Sequence, residues 1–297
     1  MLSSSPTVDP PGYPPLPPGS TIDLPGKGEM FVRDQPGQRN RPTVLLLHGL
    51  TSTADLCWFA TFPRLEGRYR VVAPDLRGHG DGPHAGRFSL EDVADDVAAL
   101  IDRLGLGKVV VGGYSMGGVV AQLLWRRHRD AVAGLVLCAT AADFRPVSAR
   151  GRASVAARRA LLVGARVVPP SALRRLELHI GRAGLRRTTI RQSTEPLREW
   201  AAAQIRRNPP LGLVAATVAL RSSSTEAWIG GIDVPTACVI PIFDTVVPVA
   251  QQQALARSIH GAIVVELRAD HGGFVQRPDD FADAVVSAVT AVADRVT

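Results

Sequence analysis

Short apolar runs alternate with longer stretches in which apolar positions recur every three or four residues, and this alternation organises most of the chain. Thr43-Val-Leu-Leu-Leu47, Tyr69 to Ala73, Lys108 to Gly112, Val132 to Cys138, Thr236 to Ile240 and Ala262 to Leu267 read as strands. Most are nearly continuous Val/Leu/Ile runs, as expected of strands buried on both faces. Helical spacing fills the gaps at Asp55–Leu65, Ser89–Leu104, Met116–Arg129, Val249–Ile259 and Asp279–Val292. Ser89, with Asp92 three residues on, forms a weaker version of the capping box. The pattern predicts an α/β fold with a mainly parallel, doubly wound sheet.

The alternation stops near Ala141 and resumes near Thr236. Between them the chain has helical patterns broken at Pro169-Pro170 and Pro209-Pro210, and no strand pattern. Residues 141–231 are therefore expected to be a helical insertion in a core made of 27–140 and 232–297. The first 25 residues hold eight prolines and little periodicity, so 1–26 read as a flexible arm.

Charge sharpens this division. The formal net charge is +7, yet Ala141 to Gly230 holds 16 Arg against 5 acids, a net of +11, while the rest of the chain, with 18 basic and 22 acidic residues, carries −4. The basicity belongs to the insertion. It reads as a solvated helical face or, in a sharper form, as peripheral contact with an anionic membrane surface or an acidic substrate. No aromatic-studded strands accompany it, so nucleic acid is not an expected partner. No apolar run reaches the length of a membrane-spanning helix, and the start lacks a secretory pattern. Three cysteines, Cys57, Cys138 and Cys238, are odd in number and far apart, two of them in apolar strand patterns. They read as buried free thiols in a reducing, cytoplasmic setting, and no spacing suggests a metal site. Oligomeric state is not legible.

The sharpest motif is Gly113-Tyr-Ser115-Met-Gly117, set directly between a predicted strand and a predicted helix. Turning from strand to helix in so few residues strains the central residue, and glycine two places to either side removes the side chains that would clash. A phosphate-binding loop would need a lysine after Gly117, where Gly118 stands, and the glycine order does not match a dinucleotide fingerprint.

A serine nucleophile needs a base. His128 and His260 sit at helix ends, His179 in the basic insertion, His48 before a glycine turn, and His79 and His84 in glycine-rich loops. His271 follows the last strand in Ala269-Asp-His-Gly-Gly-Phe, so a parallel sheet places it at the same edge as Ser115. The carboxylate to orient it is Asp244, in the loop after the preceding strand, with Asp143 as the alternative; Asp270 adjoins the histidine but is expected to point away from it. For a developing oxyanion, the Met116 amide and the Leu50 amide in His48-Gly49-Leu50-Thr51 are the expected donors.

With Ser115, Asp244 and His271 in this order, the sequence resembles the α/β-hydrolase superfamily from about residue 28 onward. Leu47-His-Gly, Pro74-Asp-Leu-Arg-Gly-His-Gly and His271-Gly-Gly-Phe followed by Arg277-Pro also match its pattern. It is most similar to small bacterial esterases, cofactor-free haloperoxidase-like enzymes and carbon–carbon bond hydrolases. The resemblance implies an eight-stranded, mostly parallel sheet with a helical cap after the sixth strand. It also implies acyl transfer to the serine followed by hydrolysis. The Gly272-Gly273 pair departs from the pattern and predicts a flexible histidine loop.

The reading is a serine hydrolase for a carboxylic ester or thioester, lipid-like substrates included, with no cofactor or metal implied. Pocket candidates are His48, Gly49, Thr51, Trp58, Phe59 and Tyr114, although the aromatics fit core packing equally well. Perhydrolysis or carbon–carbon bond cleavage would use the same three residues. A non-catalytic ligand-binding protein of this fold is the alternative from another class.

Overall fold

Strand residues with neighbours on both sides account for the apolar runs. The computed structural model describes residues 8–84, 88–165 and 194–296. Its strands are β1 Gly19–Leu24, β2 Gly28–Gln35, β3 Thr43–Leu47, β4 Val71–Pro74, β5 Val109–Tyr114, β6 Val132–Cys138, β7 Thr236–Pro241 and β8 Ile263–Leu267. They form one sheet in the order β1-β2-β4-β3-β5-β6-β7-β8. β2 pairs antiparallel with both β1 and β4, and every other pairing is parallel.

The helices among the described residues are α1 Ala54–Trp58, α2 Phe62–Leu65, α3 Leu90–Arg103, α4 Met116–Arg127, α5 Ala149–Ala165, α6 Glu195–Arg206, α7 Pro210–Leu220, α8 Val249–Ser258, α9 Gly273–Gln276 and α10 Pro278–Ala293. Successive strand residues feed opposite faces. Val44, Leu46, Val110, Val136 and Val239 join one core with Trp58 of α1 and Phe281, Val285 and Val289 of α10. Leu45, Leu47, Val111, Leu137 and Ile240 join the other with Val93 and Val97 of α3, Val120 and Leu124 of α4 and Leu255 of α8. Each such side chain buried in full contributes roughly 1.5–3 kcal/mol, so both faces of these strands must be apolar.

Two local expectations change. Residues 19–24 are not part of a flexible arm but form β1, joined to β2 by a turn at Pro25-Gly26 where the Lys27 amide donates to the Leu24 carbonyl at 2.9 Å. Upstream, the Tyr13 ring meets Phe59 edge-on at 4.7 Å, and Trp200 Nε1 donates to the Val8 carbonyl at 2.7 Å. Proline removes a donor from a ladder without preventing side chains from packing. The single helix expected over 55–65 is two short ones, because Pro63 can stand only in the first turn of a helix and opens α2 there.

Between β6 and β7 lie α5, α6 and α7. The Pro169-Pro170 break, His179 and the arginines between 166 and 193 fall outside the described residues. Leu197, Trp200 and Ala201 of α6 are buried against Leu56 and Phe59 of the core. Among the described residues no helix is long and apolar enough to cross a membrane. All three cysteines are free and buried, and burial raises each thiol above its ordinary pKa.

Candidate active site

The turn from β5 into α4 holds Ser115 at φ 53° and ψ −112°, a region that L-residues enter only under constraint. The flanking glycines make the turn possible by close approach. A Cβ on Gly113 would lie 2.3 Å from the Gly117 carbonyl oxygen, and one on Gly117 would lie 2.2 Å from that of Leu47. The strained residue is tied down on both sides. Its amide donates to the Cys138 carbonyl at 2.8 Å, and its carbonyl accepts from Thr140 Oγ1 at 2.8 Å. Ser115 is buried apart from a small accessible surface.

Asp244 and His271 come to it from the loops after β7 and β8. His271 Nε2 lies 3.1 Å from Ser115 Oγ, and His271 Nδ1 lies 2.7 Å from Asp244 Oδ2. The Asp244 carboxylate is buried and fully engaged. Oδ1 accepts from the Val246 and Val247 amides at 2.8 and 2.9 Å, and Oδ2 also accepts from Gln252 Nε2 at 3.0 Å. Four donors satisfy the carboxylate, and its second oxygen is aimed at the imidazole. The other two carboxylates are committed elsewhere. Asp143 grips Arg145 at 2.9 and 2.7 Å, and that hydrogen-bonded guanidinium lowers its pKa. Asp270 accepts from the Gly272 amide at 2.7 Å and so caps the histidine loop.

That loop is not slack at its two glycines. Besides the Asp270 cap, the Gly273 amide donates to the Asp270 carbonyl at 3.2 Å, and α9 begins at once. A Cβ on Gly273 would sit 2.9 Å from the Ala269 Cβ, so close packing explains glycine there. The Tyr114 hydroxyl donates to the His271 carbonyl, and the Tyr114 ring lies 5.4 Å from the imidazole and 5.1 Å from Phe274.

The loop after β3 faces Ser115. A Cβ on Gly49 would come within 2.8 Å of the Tyr114 ring and 3.3 Å of the Ser115 Cβ. His48, fully buried, fixes this loop. Its Nε2 accepts from the Leu76 amide at 2.9 Å, which leaves the proton on Nδ1 for the Gly49 carbonyl at 2.8 Å. Burial, with the His79 ring adding to it, holds the His48 pKa down at about 3. Because a trans peptide points its N–H opposite to its C=O, a Gly49 carbonyl held by His48 turns the Leu50 amide the other way. The Met116 amide opens α4, where first-turn amides have no partner within the helix.

The sequence-derived pocket needs correcting. Trp58 and Phe59 are 0% and 1% exposed and pack into the core, Trp58 on Phe281 and Phe59 on Tyr13 and Trp200. Tyr114 is buried beneath the histidine loop, and His48 and Gly49 are buried in the turn. Of this set only Thr51, with the neighbouring Leu50, presents surface. Short polar contacts explain the burial of His48, and aromatic packing that of the other three. Sequence reasoning missed Gln252 and Thr140, which hold Asp244 and Ser115 through one side chain each. Neither carries a local signal.

Comparison with known proteins agrees with this architecture. A family model described as the alpha/beta hydrolase fold matches residues 42–278. The chain belongs to the alpha/beta hydrolase fold family and is a hydrolase of that family. The pimeloyl-(acyl-carrier protein) methyl ester esterase of Chromobacterium violaceum is 31% identical over 249 residues, covering 82% of this chain and 92% of that protein. The pyrethroid hydrolase of Sphingobium wenxiniae is 28% identical over 267 residues, 84% of this chain and 89% of that one. Among solved structures, the enol-lactonase from Burkholderia xenovorans LB400 matches with a TM-score of 0.74 at 27% identity, covering 91% of this chain and 100% of that chain.

Proposed function

We propose that the chain is a serine carboxylic-ester hydrolase that works through an acyl-enzyme. The observation that carries the reading is the continuous hydrogen-bonded line from Ser115 Oγ through His271 to Asp244. His271 Nε2 takes the Oγ proton as the serine attacks the acyl carbon, and Asp244 holds the Nδ1 proton and stabilises the imidazolium. The oxyanion meets the Met116 and Leu50 amides, each worth roughly 3–4 kcal/mol of transition-state stabilisation. Nε2 then returns the proton to the leaving alcohol. Water attacks the acyl-serine with Nε2 again as base, and the serine is restored.

Every charge and proton in this cycle has a partner in the chain, so the scheme calls for no cofactor or metal. Perhydrolysis and carbon–carbon bond cleavage would employ the same three residues. Ester cleavage is preferred because a full-length relative more than 30% identical is named a methyl ester esterase. The helices between β6 and β7 act in this reading as a cap over the acyl site, and a small ester is the substrate class.

The test is labelling with a fluorescent fluorophosphonate beside turnover of p-nitrophenyl esters of increasing chain length, in the wild type, Ser115→Ala and His271→Ala. Labelling abolished in Ser115→Ala and turnover lost in both variants support the reading. A folded wild-type protein that neither labels nor turns over would overturn it.

A further inference from the structure

The turn that carries the Leu50 amide contains a strained residue. Thr51 stands at φ 64°, in the left-handed region, where a β-branched side chain crowds the backbone. The turn closes when the Ser52 amide donates to the Gly49 carbonyl at 3.3 Å. That amide shares a peptide plane with the Thr51 carbonyl, so whatever holds the Thr51 carbonyl also aims the Ser52 N–H. The Gly49 carbonyl in turn shares its plane with the Leu50 N–H.

The Thr51 carbonyl is reached from the insertion. Asn208, buried just past the end of α6, places Nδ2 3.4 Å from the Thr51 carbonyl oxygen and 2.9 Å from that of Ile205. Its Oδ1 accepts from the Gly80 amide at 3.1 Å. The orientation of the side-chain amide follows from its partners. A backbone N–H can only donate, so the oxygen faces Gly80 and the NH2 faces the two carbonyls. The same helix end grips the far side of the turn. Gln204 Oε1 accepts from Thr53 Oγ1 at 3.3 Å and from Arg207 Nη1 at 2.7 Å. Arg207 Nη2 lies 2.6 Å from Asp81 and 3.3 Å from Asp75, whose Oδ1 accepts from the Ala54 amide at 2.8 Å.

We propose that Asn208 is a positioning residue of the oxyanion hole, holding Thr51 in its left-handed conformation from the insertion and so aiming the Leu50 amide through two peptide planes. The inference rests on the ester-hydrolase reading above, in which Leu50 N–H meets the oxyanion. It makes the insertion part of the catalytic geometry as well as a wall of the substrate site.

The experiment compares wild type, Asn208→Ala, Asn208→Asp and the pair Asn208→Ala with Thr51→Gly, using p-nitrophenyl butyrate. Asn208→Asp keeps an acceptor for the Gly80 amide and loses the donor to Thr51, so it serves if the alanine variant folds poorly. Both single variants are expected to lose about 10- to 100-fold in kcat, less than the ~10²–10³ for removing an oxyanion donor outright, with KM within about twofold. Adding Thr51→Gly is expected to recover most of the loss, because glycine enters the left-handed region without strain. Values of kcat within about twofold of wild type, or a loss that Thr51→Gly leaves untouched, would overturn the proposal. Ser115-dependent turnover by the wild type tests the functional reading separately. If that turnover is absent, hydrogen exchange over residues 49–53 still decides the loop. Faster exchange in Asn208→Ala supports the positioning role, and unchanged exchange refutes it.

Discussion

His48 should make the protein acid-sensitive by an amount that can be isolated with one substitution. The folded chain buries the ring completely, with Nε2 already accepting from Leu76 and Nδ1–H donating to Gly49. Burial, reinforced by His79, brings its pKa from 6.5 to about 3. The unfolded chain protonates this histidine below its ordinary value and the folded chain does not, so acid favours unfolding. His48 therefore costs no stability above about pH 6.5, and its penalty grows by about 1.4 kcal/mol per pH unit below that. The penalty levels off as the folded ring begins to accept a proton near 3. Between about pH 7.5 and 4.5 the loss is about 2.7 kcal/mol. The assay is urea unfolding of wild type and His48→Asn from about pH 7.5 to 4.5. The variant should be less stable at neutral pH for want of the ring's hydrogen bonds, and the gap should narrow by about 2–3 kcal/mol at the acid end. Other groups titrate in both proteins and cancel, including His79, held down to about 4 by burial, and Asp75, raised to about 6 by burial. Parallel stability curves would refute the argument, because they would mean the ring is charged or solvated in the folded state.

Other substitutions probe the rest of the site. Asp244→Asn places a side-chain NH2 where Oδ2 accepts from His271 and Gln252, which favours the wrong imidazole tautomer. A loss of about 10³–10⁴ in kcat with an intact fold is expected from p-nitrophenyl ester assays, and a loss under about tenfold would contradict the assigned role. Ser115→Gly removes the side chain from a strained backbone and should raise stability by about 1 kcal/mol, roughly 2–4 °C in Tm by calorimetry, while abolishing turnover. A lower Tm would show that the strain is relieved elsewhere. Arg207→Met leaves Asp75 and Asp81 facing each other without their shared cation and should cost about 3 kcal/mol near pH 8. Because burial already raises Asp75 to about 6, this cost should shrink below about pH 5 as Asp75 protonates, and equal losses in urea unfolding at both pH values would argue against the pairing.

The central strands and α3 were legible in the sequence because their signals are local. Two-sided burial demands continuous apolar runs such as Val109-Val-Val, and Ser89 accepts from the Asp92 amide at 3.0 Å, the cap its position suggested. The same holds for Ser115, because the glycines its turn needs stand two places to either side of it, and a Cβ on Gly113 would meet the nearby Gly117 carbonyl. β1 was hidden because its Gly-Ser-Thr-Ile-Asp-Leu pattern is that of a half-exposed edge strand, next to prolines that imitate a linker.

Chain order and residue type by themselves determined that Ser115, Asp244 and His271 would leave three strand ends on one edge of the sheet, since parallel strands gather their carboxyl ends whatever their separation along the chain. Only the tertiary structure decided which groups hold them there. Gln252 against Asp244, Thr140 against the Ser115 carbonyl, Tyr114 beneath His271 and Asn208 against Thr51 are pairings between segments with no common periodicity. A polar side chain chosen for a partner across the fold leaves no trace in its own neighbourhood. The same reason moved Trp58, Phe59 and Tyr114 from the expected pocket into the core: an aromatic residue near a loop of the candidate site has one composition and two possible directions, and packing selects between them.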